Sequence, residues 1–174
     1  MKKVLMSAVA LCVVGLFTFG CPTTPSDPGV NPQQKTSLNQ GDAETIIKSN
    51  LKELGYNVNV AVQDFDENGA EDIGIEYVSG NDSQQLVIFL AHITGTVGSI
   101  EQYFNWNSDK VILLLGENLY IANVSDCRRC SEMVNRANVT DEDISNCLLE
   151  TWWVIEGGEP AQDNKKQLDK DQIL

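Results

Sequence analysis

The sequence is poor in basic residues. Lys and Arg together number 12 against 25 Asp and Glu, so the formal net charge is -13. Nucleic-acid binding depends on clustered Lys and Arg that neutralise phosphates, and this chain has no such cluster. The composition therefore excludes a nucleic-acid-binding protein. It favours solubility first, and basic partners or divalent cations second.

Histidine is also scarce, which limits the catalytic chemistry that the chain can carry. The one histidine, His92, lies in the apolar run FLAHIT, where a core role is commoner than that of a base, and no Ser or Cys partner is indicated. The three cysteines of the predicted domain, Cys127, Cys130 and Cys147, and the distant His92 also make a poor zinc site. We therefore expect a protein without enzymatic activity.

The chain begins with the layout of an export signal. Lys2 and Lys3 precede a short apolar core that ends at Gly20-Cys21, and the polar stretch CPTTPSDPGVNPQQ follows. A membrane-spanning helix needs about 20 apolar residues, so cleavage is favoured over spanning and residues 1–20 are predicted to be a signal peptide. A cysteine directly after glycine at this point resembles the lipobox of bacterial lipoproteins.

That resemblance implies that Cys21 is diacylated and becomes the new N-terminus. The protein would then be held at a bacterial membrane, at the outer membrane or its periplasmic face, by acyl chains rather than by a spanning helix. Ordinary cleavage nearby would instead leave Cys21 as a free thiol.

Composition divides the rest of the chain into three parts. Residues 21–41 hold four of the five prolines with many polar residues, which predicts a flexible tether. Residues 42–156 are long enough for one domain with one core. Residues 157–174 are again polar and are predicted to form a C-terminal tail.

Hydrophobic periodicity predicts the first half of the domain. Residues 42–55 have a helical pattern, whereas YNVNVAVQ and DIGIEYV alternate as half-buried strands. The apolar run QQLVIFLAHI is assigned to a third strand because of its β-branched and aromatic content. SIEQYF is assigned to a short helix.

The second half is predicted to contain a hairpin and two helices. The hairpin turns at Gly116-Glu117-Asn118, one helix begins at Ser125, and the last helix is capped by Thr140 and continues through Ile155. Tight turns between neighbouring strands predict antiparallel pairing. The expected fold is α+β, with an antiparallel sheet of about five strands in the order α-β-β-β-α-β-β-α-α.

Three local motifs support a family resemblance for residues 42–155. They are LGY at the end of the first helix, NWNSDKVILLL before the fourth predicted strand, and NVTDEDISNCL at the capped helix. In this order of elements the domain resembles the YbjN-like, type III secretion chaperone-like fold. That family implies a protein-binding or regulatory role, and it supplies no catalytic residues to carry over.

The segment DFDENGAED joins the first two predicted strands and has two interpretations. One is a calcium loop similar to those of integrin-type propeller repeats, because calcium takes six to eight oxygen ligands. The other is a hairpin turn that uses Asn68-Gly69 and leaves the aspartates solvated. The residues that would supply calcium ligands, by side chain or by the Ala70 carbonyl, are Asp64, Asp66, Asn68, Ala70 and Asp72.

The three domain cysteines also have two interpretations. Export would expose them to an oxidising compartment, where one disulfide is expected. Cys130 with Cys147 is favoured, and Cys127 with Cys147 is the alternative. The motif Cys127-x-x-Cys130 at a helix start would instead suit a thiol-disulfide oxidoreductase.

The expected function is therefore that of a lipid-anchored, non-catalytic, protein-binding module of the cell envelope. Its partners would be a protein, met by an exposed sheet face or edge, and the membrane that holds the anchor. A calcium-stabilised binding module and a thiol-disulfide oxidoreductase are the alternatives.

Overall fold

The computed structural model describes residues 35–80, 86–134, 136, 138–156 and 165–167. Within them the helices are α1 Gln40–Glu53, α2 Leu86–Tyr103, α3 Val124–Val134 and α4 Asp141–Thr151. The strands are β1 Thr36–Ser37, β2 Asn57–Gln63, β3 Glu71–Ser79, β4 Phe104–Asn105, β5 Ser108–Leu115, β6 Asn118–Asn123, β7 Trp152–Ile155 and β8 Lys165–Gln167. The predicted α+β class is confirmed.

The main sheet is mixed rather than antiparallel. Its six strands run in the order β2-β3-β5-β6-β7-β8, and β3 pairs with β5 in parallel while the other pairs are antiparallel. The cause is α2, which connects β3 to β5 and returns the chain in the same direction, as a parallel pair requires. The predicted count, order and purely antiparallel pairing of the strands are corrected accordingly. A separate small sheet pairs β1 with β4.

The run predicted as a third strand forms most of the first half of α2. This helix has 18 residues, and 13 of them are buried, from Val87 to Ile100. A helix that is covered on nearly every side has no polar stripe, so periodicity cannot distinguish it from a buried strand. Gly98 lets α3 approach closely, because a Cβ there would lie 2.6 Å from the backbone oxygen of Cys127.

The last predicted helix is shorter than expected. Its capping box is confirmed, since the Thr140 side chain accepts from the Asp143 backbone and Asp143 accepts from the Thr140 backbone. The helix ends at Thr151, however, and Trp152–Ile155 form strand β7. These aromatic and β-branched residues gain ladder pairing with β6, and the Trp152 indole donates to Thr94 Oγ1 at 2.9 Å.

The core lies between the helices and one face of the main sheet. On the sheet side it contains Ile73, Ile75, Val111 and Leu113, which alternate along β3 and β5. Helix residues that pack in the same cluster include Ile47, Leu51, Leu90, Ile93, Cys127 and Leu148.

Two short strands lie outside the predicted 42–156 domain, namely β1 and β8. The predicted signal peptide, the lipidation site Cys21 and most of the predicted tether lie outside the described residues. Among the described residues, no helix has the length and apolar character needed to cross a membrane.

Candidate functional site

The side of the main sheet that faces away from the helices carries an apolar band between polar residues such as Asn59 and Lys110. A continuous row crosses five strands, because Ala61 pairs with Gly74, Gly74 with Ile112, Ile112 with Ile121, and Ile121 with Trp153. A neighbouring row contains Glu76, Leu114 and Leu119. We call this surface the open face and define it by Ala61, Phe65, Gly74, Glu76, Ile112, Leu114, Leu119, Ile121 and Trp153.

None of the apolar open-face side chains belongs to the core cluster that the helices build. Phe65 is 43% exposed and Leu114 is 37% exposed. Both line a groove of about 410 Å³, together with Ala61, Gly74 and Ile112. A volume of this size is within the range of ligand-binding clefts.

Gly74 gives the groove its floor. A Cβ at this position would lie 2.9 Å from Cζ of Phe65, so the phenyl ring can rest on the strand only because residue 74 has no side chain. Phe65 comes from the β2–β3 loop, so the loop conformation determines where this ring lies on the open face.

The sheet edges are less available than the face. At the β2 edge, the backbone N–H of Val62 donates to Glu44 Oε1 at 2.8 Å, so an α1 side chain satisfies one edge donor. The opposite edge is β8, which has only three residues. Protein sheets commonly protect their edges in these ways, by charged side chains and by short strands. The exposed groove therefore lies on a face of the sheet and not at an edge.

The β2–β3 loop brings three of its predicted calcium ligands together. One carboxylate oxygen from each of Asp64, Asp66 and Asp72 lies within 4.8 Å of the others. The other two predicted ligands are Asn68 and Ala70, and Asn68 Oδ1 accepts from the Ala70 N–H at 2.8 Å. The grouping therefore contains carboxylates from both ends of the loop.

The loop is also ordered by its own hydrogen bonds. Asp64 accepts from the N–H groups of Asn68 at 3.0 Å and Gly69 at 2.8 Å. Positive φ angles occur at Gly69, as the turn interpretation expects, and at Glu67 rather than at Asn68. The geometry thus contains features of the hairpin turn as well as of the cation site.

A lysine from β5 contacts the loop. Lys110 Nζ hydrogen-bonds Asp66 and lies 3.2 Å from Asp109 Oδ2. The Lys110 hydrogen bond holds the pKa of Asp66 below its usual value, and the same contact raises the pKa of Lys110. Sequence spacing could not reveal this contact, because Lys110 is 44 residues away from Asp66.

Asp72, at the start of β3, has the least favourable environment of the predicted calcium ligands. Its side chain is 0% exposed, and this burial raises the pKa of its carboxyl group. Oδ2 accepts from the Phe65 N–H at 3.2 Å. Oδ1 is buried and has no hydrogen-bond partner within the described part of the chain.

Among the described residues the cysteines form one disulfide, between Cys130 and Cys147, which is the pair favoured from the sequence. The free thiol in this part of the chain, that of Cys127, is completely buried, and burial raises its pKa to about 12. A redox C-x-x-C site needs an accessible thiolate. The described residues provide none at this motif, so the geometry disfavours the oxidoreductase alternative.

His92 is part of the core. It lies on α2, is 2% exposed, and its Nδ1 is 3.0 Å from the Tyr56 hydroxyl. Burial lowers its pKa to about 4, so the ring is neutral in the folded protein near neutral pH. The ring is therefore a buried core residue, as predicted from the sequence, and does not have the solvent access that a catalytic base needs.

The comparisons with known proteins identify no relative. No family model matches the chain, and searches of curated proteins and of solved structures give no significant match.

Proposed function

We propose that this protein is a non-catalytic binding module of the cell envelope that receives an apolar, basic segment of a partner protein on its open face. The observation that carries the proposal is the groove on the side opposite the core, where the exposed side chains of Phe65 and Leu114 lie beside Ala61, Gly74 and Ile112. The apolar row continues through Ile121 to Trp153, and these two side chains are partly buried. An extended apolar surface on a folded domain is typical of an interaction site.

Charge defines the chemistry of the partner. The chain has a net charge of -13, and Glu76 is exposed within the groove, where its Oε2 accepts from Asn59 at 2.8 Å. A second copy of the chain would bring two acidic proteins together, whereas a basic partner is attracted by the same field. The occupant that fits is therefore an apolar segment with Lys or Arg beside it.

The anchor belongs to the same proposal. The leader that ends at Gly20-Cys21 supports export and acylation of Cys21, and a disulfide between Cys130 and Cys147 is consistent with an oxidising compartment. The intact mass of membrane-extracted protein, measured with and without reductant, tests this part. Unmodified protein that still begins at Met1 would contradict it.

The face is tested with short peptides of defined composition. Fluorescence anisotropy of the full chain in mild non-ionic detergent compares a Leu/Lys peptide with a Leu/Glu and a Ser/Lys peptide. We expect the Leu/Lys peptide to bind best, because it alone matches both the apolar row and the charge. Protein-free micelles provide the blank.

Two matched variants locate the binding. Leu114→Ser removes an apolar side chain from the groove, and Tyr103→Ser removes a 63% exposed ring on α2. We expect about a tenfold loss of affinity for Leu114→Ser, which corresponds to about 1.4 kcal/mol, and no change for Tyr103→Ser. Equal losses in the two variants, or equal binding of all three peptides, would refute the open face as the site.

A further inference from the structure

We propose that the β2–β3 loop is a divalent cation site in which Asp64, Asp66 and Asp72 supply the carboxylate ligands, and that its ion is calcium. These three groups meet within 4.8 Å although Asp72 is eight positions beyond Asp64. Calcium binds oxygen ligands at about 2.3 to 2.6 Å, so oxygens grouped this closely can surround one ion after small adjustments.

The acidic grouping alone would not justify a site, since exposed aspartates often cluster at turns. Asp72 provides a separate observation. Its side chain is 0% exposed, and its Oδ1 is buried without a hydrogen-bond partner among the described residues. Burying a carboxylate oxygen without a partner costs free energy, and a bound cation is one of the few partners that fully offsets this cost.

The type of donor selects the class of ion. The cluster offers carboxylate oxygens, and no cysteine or histidine belongs to it in the described chain. Hard cations such as calcium prefer oxygen, whereas zinc and copper favour nitrogen and sulfur. Calcium accepts six to eight oxygens in variable geometry, whereas magnesium requires a near-ideal octahedron, so a cluster of three carboxylates that differ in burial suits calcium better.

Lys110 is the internal competitor of the ion. Its ammonium group contacts Asp66 and lies near Asp109, so it supplies part of the positive charge that the carboxylates attract. It cannot satisfy the whole group, because its ion pairs are with Asp66 and Asp109, whereas the cluster also contains Asp64 and Asp72. We expect the cation to displace Lys110 from Asp66.

Cation binding would also fix a residue of the open face. Phe65 lies between Asp64 and Asp66, its N–H donates to Asp72, and its ring covers Gly74. An ion held by the flanking aspartates would therefore hold this ring on the groove floor. This link depends on the proposed function, whereas cation binding itself does not.

Calorimetric titration with calcium chloride tests the site directly. The full chain is purified in mild detergent, treated with chelator, and titrated up to about 1 mM calcium, the range of extracellular calcium modules. Thermal unfolding is followed with and without calcium, because a ligand that binds only the folded state raises Tm. We expect a single binding event and an increase in Tm.

The variants are chosen so that loss of binding can be separated from loss of folding. Asp64→Asn and Asp66→Asn change exposed members of the cluster, and Glu67→Gln removes a charge from the same loop but outside the cluster. We expect each Asp variant to lose about tenfold or more in calcium affinity and Glu67→Gln to retain it. Circular dichroism verifies that all three remain folded.

Two results would overturn the cation site. One is the absence of both binding heat and a Tm shift at about 1 mM calcium. The other is an equal loss of affinity in Glu67→Gln and the two Asp variants, since that would indicate diffuse attraction by the acidic chain. Neither result affects the peptide experiment, which is performed without calcium, so failure of this site and failure of the open face are distinguishable.

Discussion

His92 should make folding stability depend on pH in a defined window. The ring is buried and its pKa is lowered to about 4, from 6.5 in the unfolded chain, with burial as the cause. As pH falls, the unfolded state therefore takes up the proton before the folded state does. Stability from this residue is complete above pH 6.5 and is lost as pH falls from 6.5 towards 4.

The size of the effect follows from the shift. A change of one pKa unit corresponds to about 1.36 kcal/mol, so the His92 shift contributes about 3 kcal/mol to the free energy of unfolding at neutral pH. About 2 kcal/mol of this contribution is lost by about pH 5. Urea unfolding near pH 7.5 and pH 5 measures the free energy of unfolding at each pH. The carboxyl groups also contribute to this difference, so a reference without the imidazole is required.

His92→Gln provides that reference. The amide does not titrate and can still hydrogen-bond the Tyr56 hydroxyl, which lies 3.0 Å from Nδ1 in the native protein. The variant should be less stable near pH 7.5 but should lose about 2 kcal/mol less than the native protein between the two pH values. The same pH dependence in both proteins would show that His92 is accessible to protons in the folded state and would refute the reasoning.

Two further predictions test the packing of α3. Gly98→Ala should destabilise the protein by about 1 to 3 kcal/mol in urea unfolding, because the new Cβ would lie 2.6 Å from the backbone oxygen of Cys127. The control is Gly41→Ala, whose Cβ would lie 3.6 Å from its nearest neighbour. Equal destabilisation in the two variants would contradict the close approach of α2 and α3. Replacing Cys130 and Cys147 together by Ala should lower the free energy of unfolding by about 3 kcal/mol, which is the loop-closure value for a separation of 17 residues. Thermal unfolding measures the effect, and an unchanged Tm would contradict the prediction.

Helices and strands with one buried and one solvent-exposed face could be predicted from the sequence. Helix α1 buries Ala43, Ile47 and Leu51 at helical spacing, and β2 buries Val58 and Val62 on the same face as the partly buried Val60, so both periods are visible in the residues themselves. Helix α2 could not be predicted in this way. Its burial is nearly complete, and the choice between helix and strand then depends on contacts distant in sequence.

Trp152–Ile155 illustrates a second limit. The helical pattern of α4 continues into these residues, and only the partner strand β6 determines that they form β7. Pairing across a sheet is a tertiary property, and it overrides local preference when a neighbouring strand offers ladder hydrogen bonds. The open face has the same origin, because its rows exist only once the register of five strands is set.

The loop from Asp64 to Asp72 shows why its two interpretations need not compete. Turn chemistry accounts for Gly69 and for the hydrogen bonds that Asp64 accepts from Asn68 and Gly69. It does not account for Asp72, which pairs with Gln63 at the base of the hairpin and is fully buried. A turn alone would tolerate an uncharged residue there at lower cost, because a buried carboxylate without a full set of partners opposes folding. The turn therefore explains how the loop closes, and the proposed cation would explain why the buried residue at its base is an aspartate.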